Sequence, residues 1–264
     1  AKTSQKTEQM AFKVEKRDLK HTIRITILML KLMGLWPDGD TIYKFDLYGF
    51  YSFISVVVIM GLHNFFQLIS IFLAYKNIET FADSIFLTTT DVLISVKTFF
   101  FLRNLKIVKK LTDLWNDEIF QPKSNNQDEI IRRTLNFWKM VYISYFSMVS
   151  VTSSIWLLIP VLTNTVRDKQ LPLIAWYFYD STVSPLYEIT YVYQSIGTVF
   201  LVISTINMDA LILALMSYIV AQCDNLCDSF KYITIDKRCD VIKTKIVECI
   251  THHKTILRYS KRLC

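Results

Sequence analysis

Three stretches with almost no charge constrain this chain more than anything else in it. Residues 47–75 run twenty-nine positions without Asp, Glu, Lys or Arg, and residues 140–166 run twenty-seven. Residues 189–223 carry a single charge, Asp209. About 20 apolar residues cross a bilayer as a helix, so each run is long enough to span. A fourth segment, 79–102, is apolar apart from Glu79, Asp83, Asp91 and Lys97. Lipid cannot satisfy backbone N–H and C=O groups, which favours closed helices. The expected fold class is an all-α membrane protein, a bundle of transmembrane helices with cytoplasmic helical extensions.

Charge placement orders these spans. Eight Lys and Arg precede Trp36, eight lie from Arg103 to Lys139, and nine lie from Lys231 onward. The two remaining loops hold only Lys76, Arg167 and Lys169. Basic residues gather on the cytoplasmic side of membrane proteins. Four spans with a cytoplasmic N-terminus put all three basic regions inside, whereas omitting the second span would place one of them outside. The net charge of +7 is therefore a topology signal. It implies contact with membrane lipid, no nucleic-acid partner, and a multi-pass protein of the plasma membrane.

All five cysteines fall at or after Cys223, in a region this topology makes cytoplasmic and reducing. Cys223 and Cys227 with His252 and His253 match no common zinc spacing, and no metal is expected. There is no HExxH, no GxSxG and no glycine-rich phosphate loop. Neither an enzyme nor a cofactor is expected.

Three regions follow: 1–46, a cytoplasmic N-terminus; 47–222, a four-span bundle; and 223–264, a cytoplasmic tail. Residues 17–36 place Leu19, Ile23, Ile27 and Leu30 at helical spacing with Arg17, Lys20, Arg24 and Lys31 on another face. That pattern fits a helix lying in the membrane interface, ended by Gly34 and Pro37. No cleavable signal is evident. The absence of an initial Met and a last residue inside a helical pattern suggest a piece of a longer protein. After the second span, Leu105, Val108, Leu111 and Trp115 continue a helical stripe. In the tail, Ile242, Ile246, Ile250, His253 and Leu257 form another, whose apolar face needs a partner.

Ionisable groups inside spans are functional candidates by default. Asp91 lies deepest; Lys97 and Asp209 lie toward the inner ends. One deep carboxylate is too little for an ion-coupled transport path. In the third span Val149, Thr152 and Trp156 share a face, and the fourth offers Tyr187, Tyr191, Gln194, Ser195 and Val199. Apolar walls with a few hydroxyls suit a small apolar ligand. Tight helix packing through Ser, Thr and Gly accounts for the same residues equally well. Between these spans, "LPLIAWYFYDSTVSPLYEITYVYQ" holds seven aromatics and two prolines.

The chain resembles the insect odorant receptor family. The resemblance rests on "MGLWP" before the first span, the aromatic loop, "MDALILALMSYIVAQCDNL" closing the fourth span, and "CITHHKTILRYSKRL" after it. It implies seven spans with a cytoplasmic N-terminus, in the membrane of a sensory neuron dendrite. It also implies a ligand-gated cation channel, assembled as a hetero-tetramer of this subunit with the odorant receptor coreceptor. Three further spans, including the pore lining, would follow Cys264, and residues 223–264 would begin the subunit-contact region. The odorant would bind in the outer half of the bundle. There Trp176 and Tyr177 cover the mouth, and Thr88 of the second span joins Val149, Thr152, Trp156, Tyr187, Tyr191 and Ser195 as the wall. Gustatory receptors share this fold and are the nearest alternative. A four-span scaffold of the tetraspanin kind would need cysteines in its large outer loop. A G-protein-coupled receptor would place its N-terminus outside and carry an outer-loop Cys, against the charge map and the cysteine positions, and a transporter fragment would need more than one deep carboxylate.

Overall fold

The computed structural model describes residues 22–37, 46–73, 78–233 and 239–263. For 78–80, 83, 165, 166, 232, 233, 239 and 240 it describes the backbone alone. Leu19, Arg17 and Lys20 of the interfacial stripe lie outside those residues. The chain divides into two compact units. Among the described residues, one holds those within 26–106 and 143–209; the other holds those within 22–25, 107–142 and 210–263.

The first of these units contains most of the membrane-crossing helices. Helix α1, Arg24–Leu32, stops where the sequence says it should. Gly34 takes φ 75°, its N–H bonds the Lys31 carbonyl, and the Leu35 N–H reaches back to the Leu30 carbonyl. That pair of bonds is a Schellman cap, which needs a left-handed residue at the turn. A Cβ on Gly34 would meet the Ser52 Cα at 3.0 Å, so glycine is required here twice over. The Tyr48 hydroxyl donates to the Lys31 carbonyl at 3.0 Å, tying the turn to the next helix.

Four helical stretches are long and apolar enough to cross a membrane: Leu47–Leu73, Ser84–Arg103, Asn125–Leu162 and Leu186–Lys231. They match the four spans expected from composition. We label Leu47–Leu73 α2; its middle, Ile54–Gly61, widens into a π-helical stretch. Ile78–Arg103 is α3, Asn125–Leu162 is α5 and Leu186–Ile233 is α6. α4, Leu105–Asp113, follows α3 after a single interruption at Asn104.

Beside an apolar core of Met60, Phe200 and Leu201, many apolar side chains of these helices face outward and many polar ones inward. On α5, Met140, Ile143, Met148, Val151, Ile155, Leu158 and Leu162 are all exposed. On α2, the buried residues include Ser52, Ser55, His63, Asn64, Gln67 and Ser70. Ser84, Thr88 and Thr98 of α3 and Thr190, Gln194 and Ser204 of α6 are buried too. Lipid is as apolar as leucine, so it offers no reason to hide leucine and strong reason to hide polar groups. Lys97 and Asp209 are ion-paired between α3 and α6, which removes two isolated charges at once.

The other unit is built on aromatic rings. Leu111 and Trp115 of the sequence stripe are fully buried here, as is Leu105 just before the unit begins. Trp115 stacks on Tyr218 of α6 with ring centroids 4.4 Å apart, and its indole N–H donates to the Tyr259 hydroxyl at 2.9 Å. Tyr259 belongs to α7, Cys239–Leu263. The buried row of α7 is Cys249, Ile256 and Tyr259, whereas Ile246, Ile250 and Leu257 are exposed. The stripe read from the sequence is thus the face turned outward. Cys223 and Cys227 are exposed free thiols, and no three His, Cys, Asp or Glu side chains gather among the described residues.

His252 Nε2 meets the Gln222 Oε1 at 3.0 Å, so the neutral ring donates there. Burial, and secondly the Lys123 ammonium, push its pKa down from 6.5 to about 4. The folded chain then binds fewer protons than the unfolded chain between those values, so stability rises with pH across that window. Acidifying from 6.5 toward 4 should lower the melting temperature of the purified chain in detergent. His252→Gln should flatten that slope; an unchanged slope in the variant would assign the acid sensitivity elsewhere.

Candidate functional site

The aromatic loop is tied down by one glutamine. Gln194 lies on α6 and is fully buried. Its Oε1 accepts the Leu173 N–H at 3.0 Å, and its Nε2 donates to the Leu173 carbonyl at 3.0 Å. The same Nε2 reaches the Tyr177 hydroxyl at 3.1 Å. A loop backbone buried in a membrane protein needs such partners, because no water supplies them. Gln194 mimics a strand edge with its side chain.

Further bonds spread the loop over the helix ends. The Trp176 N–H donates to the Phe66 carbonyl of α2 at 3.2 Å, and the Phe66 ring lies 4.8 Å from that of Tyr177. The Tyr179 hydroxyl meets that of Thr190 at 2.7 Å. The Tyr187 hydroxyl donates to the Gln170 carbonyl at 2.9 Å. Burial raises the Tyr177 hydroxyl to about 12, despite the opposing bond from Gln194. It stays a neutral donor and acceptor. In the exposed turn, the Thr182 hydroxyl and N–H hold Asp180 below the usual carboxylate range.

The nine residues expected at the site fall into three groups. Tyr177 of the loop, Tyr187 of α6 and Thr88 of α3 are buried. Tyr191 and Ser195 are half-buried on α6, and Val149 is half-buried on α5. Thr152 is exposed, as are Trp156 at 43% and Trp176 at 41%. The Tyr187 and Tyr191 rings sit 6.1 Å apart. The Tyr191 hydroxyl donates to the Leu157 carbonyl at 2.6 Å, which brings it beside the Trp156 backbone. The Thr152 hydroxyl bonds the Met148 carbonyl of its own helix, and the Ser195 hydroxyl bonds that of Tyr191. The α6 wall and the loop are therefore assembled, while the α5 face of Thr152 and Trp156 stands open.

The α6 face read from the sequence includes Gln194, but not its hold on the loop, and Phe66 was not expected at all. The signal for Gln194 is a lone amide at the Tyr187–Tyr191 helical spacing, three residues past Tyr191, in an otherwise apolar run. Phe66 contributes a backbone carbonyl, which no side-chain pattern announces.

The 7tm odorant receptor family matches residues 77–264, well over half of the chain. The chain belongs to the odorant receptor family. It is 23% identical to odorant receptor Or1 of Anopheles gambiae over 271 aligned positions. The alignment takes in 92% of the chain and 64% of that receptor. Among solved structures it resembles the insect olfactory receptor OR5 of Machilis hrabei, both alone and in complex with eugenol. The TM-scores are 0.75 and 0.76, at 20% and 21% identity. Each match covers 93% of this chain and 64% of that receptor. At that identity the likeness shows the fold. The odorant receptor chain described here thus spans about two thirds of the length of these relatives, and it is a multi-pass membrane protein of a receptor family, not an enzyme family.

Proposed function

We propose that this odorant receptor chain binds a small apolar, semi-volatile ligand between α5 and α6, under the Gln194-anchored loop. The observation that carries this reading is the loop itself. A ring-rich cover is held by three bonds from one buried amide; in this reading it covers a site walled by Tyr187, Tyr191, Ser195, Val149, Thr152 and Trp156, to which Thr88 also contributes. Trp176 and Tyr177 belong to the cover. A related receptor has been solved with eugenol, a small apolar molecule with one hydroxyl, which is the ligand chemistry such walls suit.

In this reading the chain is one subunit of a ligand-gated cation channel, assembled as a hetero-tetramer with the odorant receptor coreceptor. Segments beyond the length matched here would cover the open α5 face and line the pore. The N-terminus and the tail are cytoplasmic and the aromatic loop is outside, as the split of basic residues requires.

The test is dose–response recording from the full-length receptor with its coreceptor. Trp156→Ala and Tyr191→Ala should each shift potency by about tenfold, since an aromatic wall contact is worth about 0.5–1.5 kcal/mol beyond its buried area. Unchanged curves for both variants at normal surface expression would assign these faces to helix packing instead. An epitope tag near Lys169, labelled on intact cells, reports the orientation in the same preparation.

A further inference from the structure

A hydroxyl gives a single proton but keeps lone pairs that accept, so where each proton goes decides what a wall can offer a ligand. On α6 the protons are already given to backbone. The Tyr187 hydroxyl donates to the Gln170 carbonyl at 2.9 Å, and the Tyr191 hydroxyl donates to the Leu157 carbonyl of α5 at 2.6 Å. Ser195 donates to the Tyr191 carbonyl and Thr198 to the Gln194 carbonyl, each at 2.9 Å. On α5, Thr152 donates to the Met148 carbonyl at 2.9 Å.

This pattern has a physical cause. Where water is scarce a hydroxyl takes the nearest acceptor, and for Ser or Thr in a helix that is the carbonyl four residues back. The longer tyrosines reach carbonyls of other segments. In every case the proton is turned to backbone, and what the oxygen has left is its lone pairs.

Pro160 is a second observation pointing the same way. It lies inside α5, and proline has no N–H to give to the carbonyl four residues back. That carbonyl belongs to Trp156, the neighbour of the Leu157 carbonyl that receives the Tyr191 proton. The Trp156 carbonyl thus lacks its α-helical partner at the joint between the two walls. The Trp156 indole is the exception in this set, a group that only donates.

We propose that the α5–α6 site selects ligands carrying a hydrogen-bond donor: a small apolar alcohol or phenol, ahead of the ether, ester or aldehyde of the same skeleton. Ser195, Thr152 and the Trp156 carbonyl are the acceptors that read the ligand's proton. The inference rests on the ligand site proposed above. An alcohol can bond these oxygens without disturbing their own bonds to backbone. An acceptor-only ligand meets lone pairs at the same positions. It gains a bond only from the indole, or by displacing a hydroxyl from its carbonyl.

The test records currents from the full-length receptor with its coreceptor, using matched compounds on one skeleton. Suitable sets are octanol with methyl octyl ether and octyl acetate, benzyl alcohol with benzyl methyl ether and benzaldehyde, and eugenol with methyl eugenol. On each skeleton that evokes current, the hydroxyl compound should be more potent by about two- to tenfold, the usual net size of one hydrogen bond. Membrane partitioning differs within a pair but not between receptor variants, so the change in the ether-to-alcohol ratio is the decisive reading. Ser195→Ala or Thr152→Val should shrink that ratio, whereas Trp156→Phe, which removes the N–H, should widen it. An ether, ester or aldehyde as potent as its alcohol across the sets overturns the donor preference. A ratio untouched by both Ser195→Ala and Thr152→Val overturns the acceptors named here. If Trp156→Ala and Tyr191→Ala leave every curve unchanged, the site itself is misplaced and the inference falls with it. If they shift the curves while alcohol and ether stay equal, the inference alone falls.

Discussion

Gly197→Ala is expected to destabilise the spanning unit by about 1–3 kcal/mol, the usual cost of overpacking. This runs against local preference, because alanine is better than glycine inside a helix by about 0.5–1 kcal/mol. The reason is His63. A Cβ on Gly197 would lie 2.6 Å from the ring Nδ1 and 3.0 Å from Cγ and Cε1. The ring has nowhere to go, being 2% exposed and held on its far side by Gln67. Gly197→Val adds two methyls to the same clash and should cost more. Thermal unfolding in detergent measures both. The double variant His63→Ala with Gly197→Ala should cost less than the sum of the single changes, since His63→Ala removes the ring with which the new Cβ collides. A melting temperature raised by Gly197→Ala would show that the helices separate freely and that propensity governs.

Trp115→Ala should have the largest effect in the other unit, about 3–5 kcal/mol. Its side chain is fully buried. Truncation removes the stack on Tyr218 and leaves the Tyr259 hydroxyl without the indole donor. Trp115 comes from the segment after α4, Tyr218 from α6 and Tyr259 from α7, so one deletion loosens three parts of the chain. Trp115→Phe keeps much of the ring area and loses only the donor, and should cost about 1–2 kcal/mol. Hydrogen exchange at the amides of 215–222 and 252–259 reads the result locally. Protection there unchanged by Trp115→Ala would mean that the aromatic cluster does not hold this unit together.

Much of the architecture was legible before any coordinate. The four spans, the stop at Gly34 and the buried row Leu105, Leu111 and Trp115 follow from patterns a few residues to a few tens of residues long. The site was legible only in part. Tyr177 of the loop and Tyr187 at the start of α6 are buried, and Gln194 is legible as a polar residue on the Tyr187–Tyr191 face, but its bonds to the loop are not. The tail was legible as an amphipathic helix, but the face it buries is the one with Cys249, Ile256 and Tyr259. Periodicity reports that a helix has an apolar face; it does not say which neighbour is present to cover it.

The sequence by itself determined what lipid can sense, because a bilayer acts on averages. A window of about 20 residues crosses or does not according to its summed transfer energy, and basic residues bias orientation whatever they later touch. Tertiary structure alone decided the contacts inside the bundle. There the hydrophobic effect is nearly silent, and specificity rests on single atoms: a glycine that lets an imidazole approach, an amide that closes a loop, a carboxylate that finds a glutamine from another helix. Asp91 stood out in the sequence as a charge in an apolar run. Its partners, His63 and Gln67, lie 28 and 24 residues away, and only the packing of α2 against α3 brings them to it.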